Sequence, residues 1–325
     1  MAFFQQVTSA ADSANTIAEF VSQEQIRTLG DLHDALFPPK TTTNDQDVTE
    51  MPSVGVVVLC ASAVLSTAEV IISMVKELVK SAASTEYRQP IVLVLCGGVG
   101  HSTQLMHEAV RRHPQYSQIS HQVQGLPEGR ILQAIGERFF DLHVCGKDQG
   151  PLDLHQDLTV LVEDTSTNCA LNAIKTRDLL VCHGINSPRS IVVAQDPTMC
   201  RRTVAAFEQV YISEARTAPP ITSWPTFVPK ITPKKDTTTG EYHDLVSCLD
   251  FVIPRAEVSQ KDGLWSMDRF MSLLMGEIPR MRDDENGYGP RGKGSIVHVD
   301  IPPGVEEAWE TLGQLLGDAG RNRIN

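Results

Sequence analysis

Residues able to act on a ligand gather at four places, each directly after an apolar run. Ser62 follows VGVVVLC, and Gly97, Gly98, Gly100, His101 and Ser102 follow IVLVLC. Glu163, Ser166, Thr167 and Asn168 follow LTVLV, and Asp196, Arg201 and Arg202 follow SIVVAQ. The glycines remove Cβ atoms, so their loop either turns sharply or lets a ligand come close to the backbone. Leu105, Met106, Ala109 and Val110 then recur at helical spacing. A strand, a glycine loop and a helix bring free N–H groups and the helix dipole to one point, which suits an anion or a polar ligand edge.

Glu163 can accept hydrogen bonds from a ribose or an amine, or act as a general base. It can also simply decorate a helix N-terminus, an arrangement worth about 0.3–1 kcal/mol. Asn168 and Asn172 lie four apart, on one helix face. Arg201 and Arg202 begin a helix, where the dipole disfavours cations; that misfit points to a grip on carboxylate or phosphate, for which guanidinium is well shaped. The competing reading is a salt bridge to Glu163 or Asp164. Glu163 and Asp196 are the candidate catalytic carboxylates.

Three other chemistries are set aside. DDENG (283–287) lacks the glycine and closing glutamate spacing of a calcium loop. The ten histidines form no H-E-x-x-H or comparable cluster, so no zinc site is expected, and no G-x-S-x-G elbow is present. The seven cysteines include no C-x-x-C pair, and their odd number favours a reducing compartment.

The elements that must position these residues read as strand–helix units. Strands are expected at 54–60, 91–95, 158–162 and 190–195. Helices are expected from about Ser66, from Ser102, over 128–140, after a cap at Ser166 or Thr167, and from Asp196-Pro197-Thr198 through Phe207. Units of this length predict a doubly wound parallel α/β sheet of Rossmann-like type over 53–212, with ligands beyond the carboxyl ends of its strands. Residues 1–52 read as a helical extension, its apolar stripe packing on the main body, followed by the polar linker 41–50. Residues 213–325 read as a smaller, mainly helical part. Eight prolines fall between Pro219 and Pro290, a helix runs from Ser266 to a stop at Gly276, SIVHVDI forms a short strand, and a closing helix spans Pro303 to Leu316.

Net charge is −12, which argues against nucleic acid or an anionic membrane as the main partner. No leader-like N-terminus or membrane-length apolar run is evident, so the expected compartment is the cytoplasm and no membrane anchor is expected.

Taken together, CGGVGHST (96–103), EDTSTNCALNA (163–173), VVAQDPTMCRRTVAAF (192–207) and GEIPRMRDDENGYGPRGKGSIVHVD (276–300) resemble segments of the bacterial YdcF-like proteins. These belong to a family of domains of uncharacterised function that also includes SanA and ElyC. The similarity runs from about Val54 to about Leu312, with residues 143–157 and about 230–260 as insertions. It implies a Rossmann-like domain with a smaller helical C-terminal part, and S-adenosylmethionine as ligand. Carried over by motif are Gly97, Gly98, the Glu128 helix start, Glu163, Ser166, Thr167, Asn168, Asn172, and Arg202 or its neighbour Arg201. Two departures stand out: Thr198 lies where the family usually has a nearby histidine, and Ala61-Ser62-Ala63 replaces a glycine-rich strand end.

The expectation is therefore a small-molecule-binding protein whose ligand is S-adenosylmethionine or nucleotide-like. Gly97, Gly98 and Gly100 would line the ligand, Glu163 and Asn168 would hydrogen-bond it, and Arg201 or Arg202 would hold its carboxylate or phosphate. The 282–291 segment would fold over the cleft, bringing Arg282, Tyr288 or Arg291 to the pocket. Group transfer is the reading put first. The alternatives are hydrolysis of a phosphoester or phosphoanhydride, with Glu163 or Asp196 holding a metal ion, and a non-catalytic ligand sensor.

Overall fold

The computed structural model describes residues 2–39, 54–82, 89–146, 156–212, 218–235, 244–252 and 263–317. The expected linker 41–50, most of the expected loop 143–157 and most of the polar stretch 230–260 lie outside these residues.

Five strands form one parallel sheet: β1 (Gly55–Cys60), β2 (Ile91–Cys96), β3 (Leu158–Glu163), β4 (Ser190–Ala194) and β5 (Ile221–Trp224). Their order is β3-β2-β1-β4-β5. The chain moves outward from β1 to β3 and then returns to the other side of β1. The reversal opens between the carboxyl ends of β1 and β4, the position at which sheets of this kind hold ligands. The apolar runs are unbroken because both sheet faces are covered. Val56, Val58 and Cys60 join one core cluster, while Val57 and Leu59 join the other.

On the Val57 face lie α2 (Leu29–Leu36), α3 (Leu65–Ala82), α4 (Thr103–Arg112) and α5 (Glu128–Phe140). On the Val56 face lie α1 (Ala2–Ser22), α6 (Cys169–Cys182), α7 (Cys200–Tyr211), α8 (Met267–Met281) and α9 (Pro303–Leu316). The apolar stripe of α1, including Val7, Ala14, Ile17 and Val21, is buried against α9, α8 and α7. The N-terminal helices are thus part of the main body. Beside α1, β6 (Lys230–Pro233) and β7 (Leu249–Val252) form an antiparallel pair. Asn15 holds the free edge of β6 by donating to the Ile231 carbonyl (2.9 Å) and accepting from its N–H (2.7 Å).

Several expectations need correction. The sheet does not end at residue 212, because β5 pairs with β4 from within the part read as mainly helical, where β6 and β7 are also strands. Residues 295–301 form no strand; the Val297 N–H donates to the Ala205 carbonyl of α7, and Ile296 is buried. Asn168, rather than Ser166 or Thr167, caps α6, its side chain accepting from the Leu171 N–H at 3.0 Å. Helix α8 starts after its Ser266 cap as expected but continues through Gly276 to Met281. Pro279 inside it has no N–H to give to the carbonyl four residues back. That carbonyl, of Met275, accepts the Trp309 indole N–H of α9 instead, at 2.9 Å.

The loops at the carboxyl edge pack backbone to backbone. A Cβ on Gly98 would overlap the Ser166 carbonyl oxygen, and one on Gly129 would overlap that of Glu163. Gly98→Ala is therefore expected to lower stability by about 3 kcal/mol, the upper end for overpacking. Gly304→Ala, whose Cβ meets open space in the first turn of α9, is expected to be neutral or to stabilise by up to about 1 kcal/mol. Urea unfolding midpoints of the two variants check this.

Candidate functional site

The four polar segments do converge on the carboxyl edge of the sheet. Most of their side chains are turned to one another. Glu163, 4% exposed, ends β3 and gathers the loop that follows it. One carboxylate oxygen accepts from the Thr165 N–H and hydroxyl, both at 2.7 Å, and from the Ser166 N–H at 2.9 Å. The other accepts from the Ser166 hydroxyl at 2.5 Å and the Cys96 thiol at 3.4 Å. With this many donors, the carboxylate's hydrogen-bonding capacity is spent on shaping the loop.

That loop fills the space beside the glycines. Gly98 lies against Ser166 and Gly100 against the Thr167 carbonyl, while Gly97 meets Ala61 and Glu128. At Gly98 and Gly100 the backbone that comes close is the protein's own. Val99 and His101 point outward and are exposed. Ser102 and Thr103 donate their hydroxyls to the Glu128 carboxylate, at 3.1 and 3.0 Å. Burial raises the Glu128 pKa, and these two hydrogen bonds counteract only part of the rise. Thr167 and Asn168 are exposed, and Asn172 is half-buried behind the loop.

Asp196 is the centre of the β1–β4 crevice. One of its oxygens accepts from the Thr198 N–H (2.9 Å) and hydroxyl (2.6 Å), and the other from the Ser62 hydroxyl (2.8 Å) and the Trp265 indole N–H (3.1 Å). Burial raises its pKa against the lowering effect of these bonds. Thr198, where the resembled family usually has a nearby histidine, is thus a partner of this carboxylate. Glu163 and Asp196 end strands three places apart in the sheet, a span of roughly 14 Å at about 4.8 Å per strand. They cannot share an ion. Among the described residues, no three His, Cys, Asp or Glu side chains are grouped so as to hold a metal.

The arginines have partners other than Glu163 or Asp164, and Asp164 itself pairs with Arg130 at 2.7 Å. Arg202 makes a two-point ion pair with buried Glu277 of α8, at 2.6 and 2.9 Å. Burial works against its charge, but Glu277, together with Cys169 and Tyr288, raises its pKa. Arg201 lies over the Phe20 ring at 4.2 Å, its pKa lowered by burial. Arg282 pairs with Glu306, and Arg291 with Asp283 at 3.3 Å. The Tyr288 ring stands 5.8 Å from the Arg202 guanidinium. These contacts fold the 282–291 segment onto α7, α9 and itself.

The open space lies next to this assembly. A cavity of about 610 Å³ is walled by Val64, Leu65 and Glu69 of the β1–α3 turn and α3, by Leu105 and Glu108 of α4, and by Trp265 just before α8. It adjoins Ala63, one residue beyond the Ser62 that holds Asp196. None of Arg202, Arg282, Tyr288 and Arg291 lines it. Glu69 and Trp265 were not singled out in the sequence. Trp265 precedes the recognisable Ser266 cap, whereas Glu69 carries no local signal at all. Comparison of the chain with models of known protein families finds no match.

The raised pKa of Glu128 has a pH consequence. Between the ordinary carboxyl range and its raised value, the unfolded chain has released a proton that the folded chain retains, so stability falls as pH rises through that window. Glu128→Gln keeps an acceptor for Ser102 and Thr103 but cannot ionise. The variant is expected to gain stability relative to the parent as pH rises through the window and to hold that gain above it. Denaturant unfolding at a series of pH values measures the difference.

Proposed function

We propose that the protein binds a small S-adenosylmethionine- or nucleotide-like molecule in the cavity at the carboxyl end of β1, and that group transfer is the reaction such a ligand serves. The observation that carries this reading is the position of the cavity. It lies beside the β1–β4 reversal, between the α/β body and the segment leading into α8. Its volume falls within the ~300–1,000 Å³ of small-molecule sites, and Leu105, Val64, Leu65 and Trp265 offer apolar and aromatic surface of the kind that takes a purine. The resemblance to YdcF-like proteins adds S-adenosylmethionine as the first ligand to try. On this reading Glu163, Asp196 and the glycine loop hold the rim in shape, while the cavity walls contact the ligand. The protein donors already gathered on Glu163 and on Asp196 favour this over hydrolysis at a metal held by either of them.

Thermal unfolding of the purified protein with S-adenosylmethionine, S-adenosylhomocysteine, nucleotides and divalent metals tests the reading. A ligand at 100 times its dissociation constant is expected to add about 2.7 kcal/mol. Ala109→Trp, which places an indole in the cavity wall, is expected to abolish the shift. A shift with metal or inorganic phosphate alone would instead support the hydrolase alternative.

A further inference from the structure

The cavity wall contains a carboxylate, Glu69, that has no lysine or arginine partner among the described residues. The Glu69 side chain is 31% exposed, and its described partners are the His113 imidazole, with Nε2 at 3.3 Å, and the Tyr116 hydroxyl. The other ring nitrogen, Nδ1, accepts the backbone N–H groups of Gln115 (3.3 Å) and Tyr116 (3.2 Å). A proton on Nδ1 would face two donors, so the hydrogen sits on Nε2 and points at Glu69. The ring is further fixed by stacking on Tyr116 at 4.0 Å between centroids. Among the described residues, no Lys or Arg lies within ion-pair distance of Glu69. Glu108, on the same cavity, has Arg111 and Arg112 at 3.8 Å, and the Arg112 side chain is 80% exposed. Arg269 is exposed as well. These guanidiniums stand in water, where they are screened, whereas Glu69 is partly withdrawn from it. Trp265 contributes an aromatic surface whose orientation is fixed at Nε1 by Asp196.

We infer that the cavity selects a ligand carrying an organic cation, an ammonium or sulfonium group seated against Glu69, with Trp265 available for cation–π contact and the apolar body of the ligand on Leu105, Val64 and Leu65. An anionic group on the same ligand would meet Arg112 or Arg269 at the mouth. This inference rests on the cavity being the ligand site, and it narrows the ligand class from nucleotide-like to cationic or zwitterionic.

Isothermal titration calorimetry of the full chain with S-adenosylmethionine, adenosine and AMP tests it, together with the Glu69→Gln variant, which keeps an acceptor for His113 and Tyr116 but loses the charge. S-adenosylmethionine is expected to bind at least tenfold more tightly than adenosine or AMP. Glu69→Gln is expected to weaken S-adenosylmethionine at least fivefold while leaving adenosine within twofold. If AMP binds as tightly as S-adenosylmethionine, or Glu69→Gln leaves S-adenosylmethionine unchanged, the cation inference is overturned and the ligand site survives. If none of the three binds, both are overturned. Should Glu69→Gln fail to fold, the ranking of the three ligands on the parent protein decides.

Discussion

One buried carboxylate joins three segments beside the cavity at the carboxyl edge of the sheet. Asp196 takes hydrogen bonds from the β1–α3 turn through Ser62, from the start of α7 through Thr198, and from the segment before α8 through Trp265. Burial alone would favour protonation of such a group, and its donors oppose that. Without this node, Trp265 would lose its fixed orientation and the cavity a wall, since a buried indole N–H needs a partner. The reversal of strand order creates a crevice, and Asp196 closes its base so that the open volume lies to one side, over α3 and α4.

Carboxylates elsewhere on the same edge behave alike. Glu163 organises the loop after β3, Glu128 collects the hydroxyls that follow the glycine loop, and Glu277 neutralises Arg202. Glu163 and Glu128 stand at a strand end and a helix start, the location that makes a residue look functional in a sequence, while Glu277 lies within α8. Glu163 and Glu128 stitch neighbouring segments together where Gly98 and Gly129 let backbones touch, and Glu277 ties α8 to α7 through Arg202. In contrast, Glu69 meets the His113 and Tyr116 rings among the described residues and borders open space, which separates its chemistry from theirs.

This contrast shows what a sequence can and cannot reveal. The buried strands of the parallel sheet were legible because unbroken apolar runs of five or six residues admit few other readings. The β1-to-β4 units, the Ser266 cap and the Pro303 helix followed from local signals. β5, with only four residues and a proline-rich approach, was hidden because its identity as a strand comes from pairing with β4. The continuation of α8 past Gly276 was hidden because Trp309, 30 residues beyond Pro279, supplies the donor for the carbonyl that Pro279 leaves free. Likewise, the convergence of Glu163, Asp196 and the arginines on one edge was readable, but their partners were not. Hydrogen bonds such as Trp265 to Asp196 join residues 69 positions apart, and no spacing rule reports them.

The packing of α1 on α9 makes one helix depend on another that is made much later. About 280 residues separate Ser22 from Pro303. At about 5–20 residues per second, the ribosome takes roughly 15–60 s to make the stretch between them. Throughout that interval the stripe of Val7, Ala14, Ile17 and Val21 has emerged without α9, one of the helices that bury it. Over that interval the part of the stripe that α9 covers stays open to water, so α1 reaches its full burial only when α9 has been made.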